Sequence, residues 1–282
     1  MSVAEQDINF LIPGTMKSGT SSIAFHLRKH PSIGIPQNEL HFFDLKYEEG
    51  IQWYLDLFTP MRSKGAQILG EKTPAYCRKE LYAQRIHEFN PDIKLIWVFR
   101  NPVDRAFSHY LHKIKTGAEI YSFAKALKLE EKRIARPDNA AINLGYKEGG
   151  LYAKQVQSYL KYFPKEQMQF ILFEDFKREP DATIHRILDF LEVDKSSYQY
   201  EHAVKNKTVI PKMPSLLFMT RKYFGRESKP YYFARYVNYK LLAPTDQKPA
   251  MDPKVRAELI AFFQPYNEAL AELTGLNTQV WQ

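Results

Sequence analysis

The chain has a single cysteine, Cys77, so no disulfide joins two parts of it, and the class of small disulfide-stapled secreted domains is excluded. No stretch approaches the run of about 18 consecutive apolar residues that a bilayer-crossing helix needs. The opening segment, Met1 to Asp7, is polar and acidic, unlike a secretory leader. Together these absences set the expectation of a soluble, cytoplasmic protein. Cysteine and histidine do not cluster at metal-ligand spacing, so no metal is expected. Low-complexity tracts and internal repeats are missing as well, which argues against long linkers and solenoid architectures.

What is present is the material of a large core. Of the 282 residues, 44% are hydrophobic and 14% aromatic, enough to exclude global disorder and to fill one large α/β domain; a single domain over 1–282 is the expectation. Lysine and arginine number 40 against 32 aspartate and glutamate, a net charge of +8. That excess favours an anionic partner: nucleic acid, an acidic lipid surface, a sulfated or carboxylated glycan, or a nucleotide. Charge by itself does not choose among them.

The chain is organised around the stretch from Phe10 to Ile23. Ile8 to Ile12 reads as a buried strand, a loop with Gly14, Lys17 and Gly19 follows, and Ile23, Ala24 and Leu27 carry helical spacing over Ser21 to Lys29. A strand, a glycine-bearing loop and a helix start aim backbone N–H groups and a helix dipole at one point, which suits an oxyanion. The usual nucleotide loop places its lysine directly after the second glycine. Here Lys17 precedes Gly19, which counts against an ATPase or GTPase.

Downstream, Asn38-Glu39-Leu40-His41-Phe42-Phe43-Asp44 sets a carboxylate and an imidazole two residues apart, on one face if the segment is extended. That pair suits a general base and its partner, or two exposed groups on a segment anchored by its phenylalanines. Residues 47–59 read as a small amphipathic helix ended by Pro60, and 67–70 as a short strand before Glu71-Lys72-Thr73-Pro74. Lys94 to Arg100 is the strongest strand, with the continuous apolar pattern of a parallel sheet covered on both faces. Asn101-Pro102 opens a helix whose Val103, Phe107, Leu111 and Ile114 form a buried stripe. Arg100 at the strand end and Ser108 on that helix suit an anion at the sheet's carboxyl edge. Further α/β segments follow through Leu191. Asp252-Pro253 starts a last helix, which Pro265 should kink. Between Tyr198 and Pro244 basic residues interleave with aromatics, a composition compatible with a nucleic-acid surface, a membrane-surface patch or a lid.

Four of these segments resemble one family. The Lys17 loop is similar to the 5′-phosphosulfate loop of sulfotransferases, which use 3′-phosphoadenosine-5′-phosphosulfate (PAPS). Asn38 to Asp44 and Glu71 to Tyr76 resemble segments of heparan-modifying glycan sulfotransferases, and Phe99 to Ser108 resembles the family's 3′-phosphate motif. The resemblance implies a three-layer α/β/α fold with a mostly parallel sheet, of P-loop type. It implies Glu39 as catalytic base with His41 in support, and Lys17 and Lys72 beside the transferred group. Thr15, Lys17, Ser18, Gly19, Thr20 and Ser21 would hold the 5′-phosphate, and Arg100 and Ser108 the 3′-phosphate. The implied activity is sulfuryl transfer from PAPS, without a metal, to a hydroxyl or amine of a saccharide, lipid, small metabolite or carrier-bound acyl chain. Residues 198–250 would form a lid; no nucleic-acid partner is expected, and peripheral membrane contact is compatible. The alternatives are a P-loop kinase using ATP and a non-catalytic basic binding protein.

Overall fold

The computed structural model describes residues 3–135, 144–198, 210–242 and 249–281. Its main elements in chain order are β1 (Ile8–Gly14), α1 (Thr20–Leu27), β2 (Ile33–Gly34), β3 (Ile68–Lys72), α2 (Glu80–Phe89), β4 (Lys94–Phe99), α3 (Pro102–Lys115) and α4 (Phe123–Ile134). They continue with α5 (Tyr152–Leu160), β5 (Met168–Leu172), α6 (Phe173–Arg178), α7 (Pro180–Phe190), α8 (Pro214–Phe224), α9 (Lys229–Tyr236) and α10 (Pro253–Thr274). The chain divides into two compact units. The first comprises Met1–Asn101, Leu151–Ala203 and Gln264–Gln282, the second Pro102–Gly150 and Val204–Phe263.

The first unit holds a five-stranded sheet of order β2-β3-β1-β4-β5, with every pairing parallel. Strand side chains alternate between faces, and β4 shows why the sheet is covered twice. Ile96 and Val98 join Phe10, Ile12, Ile23, Leu27, Ile184 and Ile187 in one buried cluster, under α1 and α7. Trp97 and Phe99 point the other way, against Tyr159 and Tyr152 of α5 at centroid distances of 4.8 and 5.1 Å. This is the expected three-layer arrangement. Gly70 of β3 is what lets β1 carry a large ring beside it, since a Cβ there would lie 2.5 Å from the Phe10 ring. Because β1 sits between β3 and β4, the loop after it opens at the point where the strand order reverses, the usual ligand position of such sheets.

The second unit is helical. Fully buried Glu119 accepts from Arg133 Nη1 at 2.6 Å and from the Tyr146 hydroxyl at 3.0 Å, while Arg105, also fully buried, donates to the Tyr146 carbonyl. A buried arginine of this kind is a structural brace.

One local expectation changes. Pro60 does not end a helix over residues 47–59; it lies in the first turn of a separate helix, Thr59–Arg62, after Ile51–Asp56. Proline fits there because first-turn N–H groups have no intrahelical acceptor. Pro265 lies inside α10, which runs from Pro253 to Thr274. Of the segment 198–250, residues 199–209 and 243–248 lie outside the described residues, and the part between them carries α8 and α9. No helix among the described residues is long and apolar enough to cross a membrane.

Candidate functional site

The loop after β1 is braced from below. Thr15 Oγ1 donates to the Val98 carbonyl at 2.9 Å and lies 2.6 Å from Ser18 Oγ, and both side chains are fully buried. The Thr15 N–H is likewise engaged, with the Val98 carbonyl at 2.9 Å. Thr15 and Ser18 therefore shape the loop from inside. Lys17 at its crest has φ 71° and Gly19 φ 90°, so the backbone turns through the left-handed region twice before α1 begins at Thr20. Thr20 and Ser21 supply first-turn N–H groups, which lie beyond the reach of intrahelical acceptors.

Arg100, half-buried at the end of β4, reaches back to this loop. Its Nη1 donates to the Lys17 carbonyl at 3.3 Å, and its guanidinium lies 5.2 Å from the centre of the Phe173 ring. Phe173 is the residue immediately after β5. Three strand ends thus place a cation beside the crest of the loop. Ser108 belongs to the second unit, half-buried on α3.

On the other side of β1, the end of β3 brings Lys72 to Glu39. Lys72 Nζ lies 2.5 Å from Glu39 Oε1 and 3.4 Å from Ser21 Oγ. Glu39 Oε2 is 3.5 Å from His41 Nε2, and His41 Nδ1 is 3.0 Å from Asp44 Oδ2. Ser21, Lys72, Glu39, His41 and Asp44 form a row in which the charges alternate. The contact between Glu39 and His41 does not depend on an extended segment: His41 has φ 56° and ψ 33° and precedes the one-turn helix Phe42–Leu45. That left-handed turn folds the imidazole back onto the carboxylate two residues earlier.

The electrostatics follow from the row. Burial works to raise the Glu39 carboxyl, but the hydrogen bond from His41 and the charge of Lys72 outweigh it, and the group is held down at about 2. The carboxylate is therefore ionised at neutral pH, although 38% of the side chain is exposed. Its hydrogen bond with Asp44, helped by Glu39, raises His41 to about 9 against the pull of burial. His41 is thus an imidazolium at neutral pH, placed to donate to Glu39.

A second layer holds this row in place. Glu71, next to Lys72, is buried and accepts from Tyr54 Oη at 2.9 Å, Tyr76 Oη at 3.0 Å and Thr73 Oγ1 at 2.8 Å. It also accepts the Leu40 N–H, and Tyr76 Oη in turn accepts the Phe42 N–H at 2.8 Å. The residues on both sides of His41 are therefore pinned to the end of β3. Burial pushes Glu71 up to about 7, with those hydrogen bonds pulling the other way.

The structure brings Glu39, His41 and Lys72 together at one end of the sheet, and Lys17 with Arg100 at the adjoining loop. Asp44 and Glu71 were missed by sequence reasoning. Asp44 had a signal, its spacing of three from His41, which one helical turn converts into contact. Glu71 had none beyond its adjacency to Lys72. Among the described residues no group of three or more His, Cys, Asp or Glu is arranged to hold a metal ion.

A family model described as a sulfotransferase domain matches residues 7–227. The chain is 32% identical over 267 residues to heparan sulfate glucosamine 3-O-sulfotransferase 3B1 of Homo sapiens, an alignment covering 94% of this chain and 63% of that protein. It thus spans less than two thirds of the first curated relatives it matches. Among solved structures, a sulfotransferase from Alicyclobacillus acidocaldarius shares 30% identity at a TM-score of 0.73, covering 97% of this chain and 98% of that one. The mouse sulfotransferase SULT7A1, solved in complex with PAP, has a TM-score of 0.51 at 14% identity over 94% of this chain and 85% of that one, a likeness of fold.

Proposed function

The chain belongs to the sulfotransferase family, and on that premise we propose that it moves a sulfuryl group from PAPS to a hydroxyl or amine of an acceptor. The observation that carries the reading is the row from Ser21 through Lys72 and Glu39 to His41, anchored at the helix start that closes the Lys17 loop. It joins an anion-binding turn to an ionised carboxylate within one row of contacts. The donor set around the loop fits a nucleotide bearing phosphates: the N–H groups of Gly19, Thr20 and Ser21, the Lys17 ammonium and the Arg100 guanidinium.

In the proposed reaction an acceptor oxygen or nitrogen bonds to sulfur, the bond from sulfur to the 5′-phosphate oxygen breaks, and the acceptor's proton passes to Glu39. Bound PAPS would supply an activated sulfuryl group and a phosphate leaving group. Lys17 would neutralise charge on the leaving oxygen, and Lys72 would turn from Glu39 toward the sulfuryl oxygens. That turn has a purpose. A carboxylate held at about 2 is a poor base, and losing Lys72 from its side raises its basicity at the moment the proton must move. By analogy with phosphoryl transfer the transition state is loose, so positioning and electrostatics dominate. Ser108 is assigned to the 3′-phosphate on the resemblance alone.

The names of the relatives favour a saccharide hydroxyl as acceptor within the wider set of hydroxyl and amine acceptors. A reducing, cytoplasmic setting is part of the proposal, in keeping with a sequence that holds a single cysteine.

The test is calorimetric titration with 3′-phosphoadenosine-5′-phosphate, in parallel with ATP and Mg²⁺, on the wild type and on Arg100→Ala. The 3′-phosphorylated nucleotide binds, ATP binds weakly or not at all, and Arg100→Ala weakens the former by about 10–100-fold, the value of a charge-assisted hydrogen bond. Tighter binding of ATP would move the chain to the kinase alternative.

Asp44→Asn tests the row itself through pH. His41 has a raised pKa, so its proton is fully present well below 9 and is lost as the pH rises through about 9. Activity that needs the imidazolium falls through that range. Without the Asp44 charge the alkaline limb of kcat shifts to lower pH by about 1–3 units. An unmoved limb would show that His41 does not govern the profile.

A further inference from the structure

The second unit carries a surface that sulfuryl transfer leaves unexplained. Helices α8 and α9 pack on each other through Leu217, Tyr231 and Ala234. The pair is fixed to the end of α3: Arg221 Nη1 and Tyr231 Oη donate to the Thr116 carbonyl at 3.2 and 2.9 Å, and Tyr239 Oη donates to the Lys115 carbonyl at 2.7 Å. Those carbonyls lie where α3 has run out of its own donors, so the hairpin is held by hydrogen bonds that a helix end leaves available. One face of the hairpin is thereby committed inward.

The sides of the two helices turned away from these contacts are apolar and cationic at once. At about 100° per residue, Met219, Lys222 and Tyr223 lie on the side of α8 away from Leu217, and Lys229, Tyr232, Phe233 and Tyr236 on the side of α9 away from Tyr231 and Ala234. Phe233 is 67% exposed, Tyr223 64%, Tyr236 54% and Tyr232 53%. Lysine and arginine outnumber aspartate and glutamate seven to one over residues 211–242. Lys222 sits 5.4 Å over the Tyr223 ring, pairing the two chemistries at one place.

We propose that this outer face of α8 and α9 docks the protein on the surface of an anionic phospholipid bilayer. Two observations together select that occupant. The local charge is complementary to acidic headgroups, and amphipathic aromatics such as Tyr223, Tyr232 and Tyr236 place a ring at the acyl boundary and a hydroxyl in the headgroup layer. A single-stranded nucleic acid would satisfy the charge, but it stacks on aromatic faces, whereas exposed Met213, Met219 and Leu241 on the same hairpin offer no such face and suit hydrocarbon. Neither helix is long enough to span, so the pair lies on the membrane.

The experiment is co-sedimentation of the full chain with vesicles of phosphatidylcholine alone and of phosphatidylcholine mixed with phosphatidylglycerol, at low and high salt. The chain sediments with the mixed vesicles and salt releases it. Tyr232→Ser with Phe233→Ser weakens binding by about tenfold or more, and Lys222→Gln with Lys229→Gln does the same. All four side chains are exposed, so circular dichroism and thermal unfolding stay at wild-type values. The proposal fails if the wild type ignores the mixed vesicles, if the aromatic pair leaves vesicle binding unchanged, or if single-stranded DNA binds as tightly and depends on the same aromatics. It fails equally if the aromatic pair lowers turnover on a soluble acceptor without touching vesicle binding, since that outcome assigns the face to a lid.

Discussion

Replacing Glu39 by glutamine is expected to lower kcat by about 10²–10⁴-fold, the range that a positioned general base supplies. The substitution keeps the shape of the side chain and leaves an oxygen to accept from Lys72 or His41. It removes the negative charge that lies between two cations, 2.5 Å from Lys72 Nζ and 3.5 Å from His41 Nε2. The amide has no affinity for the acceptor's proton, so the loss appears in kcat. Binding of 3′-phosphoadenosine-5′-phosphate changes little, because the nucleotide is assigned to Lys17, Arg100 and the start of α1. Steady-state kinetics at saturating donor, paired with calorimetry on the same variant, separates the two quantities. Turnover within tenfold of the wild type would remove Glu39 from the role of base.

Gly19→Ala should damage the loop by two additive routes. Its φ of 90° lies where an L side chain is strained, at a cost of roughly 1–2 kcal/mol. A Cβ at this position would also lie 2.6 Å from the Phe173 ring, which sits on the Arg100 guanidinium. Forcing atoms into a packed site costs about 1–3 kcal/mol more. Urea unfolding measures the sum, and nucleotide binding weakens with it because the displaced ring carries Arg100 along. The double variant Gly19→Ala with Phe173→Ala separates the routes: removing the ring relieves the clash and leaves the backbone strain. A single variant within about 0.5 kcal/mol of the wild type, the range of an ordinary surface change, would show that the loop does not depend on this close approach.

The pH dependence of stability has contributions of opposite sign. Glu39 has a depressed pKa; its stabilisation is present above 4.5 and is lost as the pH falls toward about 2. Glu71 has a raised pKa, so its contribution is present below 4.5 and is lost as the pH rises through about 7. Glu39 pairs with Lys72, and Glu71 precedes Lys72 on β3. One is ionised by cations, and the other is held near neutrality by burial.

The sequence by itself determined the strands, most helix positions and the place of the loop between β1 and α1. Continuous apolar runs such as Lys94–Phe99, the stripe on Pro102–Lys115 and the helix Phe123–Ile134 are local patterns of burial, and near neighbours encode them. The Lys17 loop and the segment around Glu39 were legible for a related reason, since turn chemistry and residue spacing are also local. Tertiary structure decided which of these residues meet. Lys72 and Glu39 lie 33 positions apart and Arg100 and Lys17 lie 83 apart, and both contacts follow from the order β2-β3-β1-β4-β5. Periodicity assigns a residue to a face of its own strand and carries no information about which strand lies alongside. The same limit explains Glu71, whose partners come from three separate segments, and the left-handed turn at His41, which only those anchored neighbours hold in place.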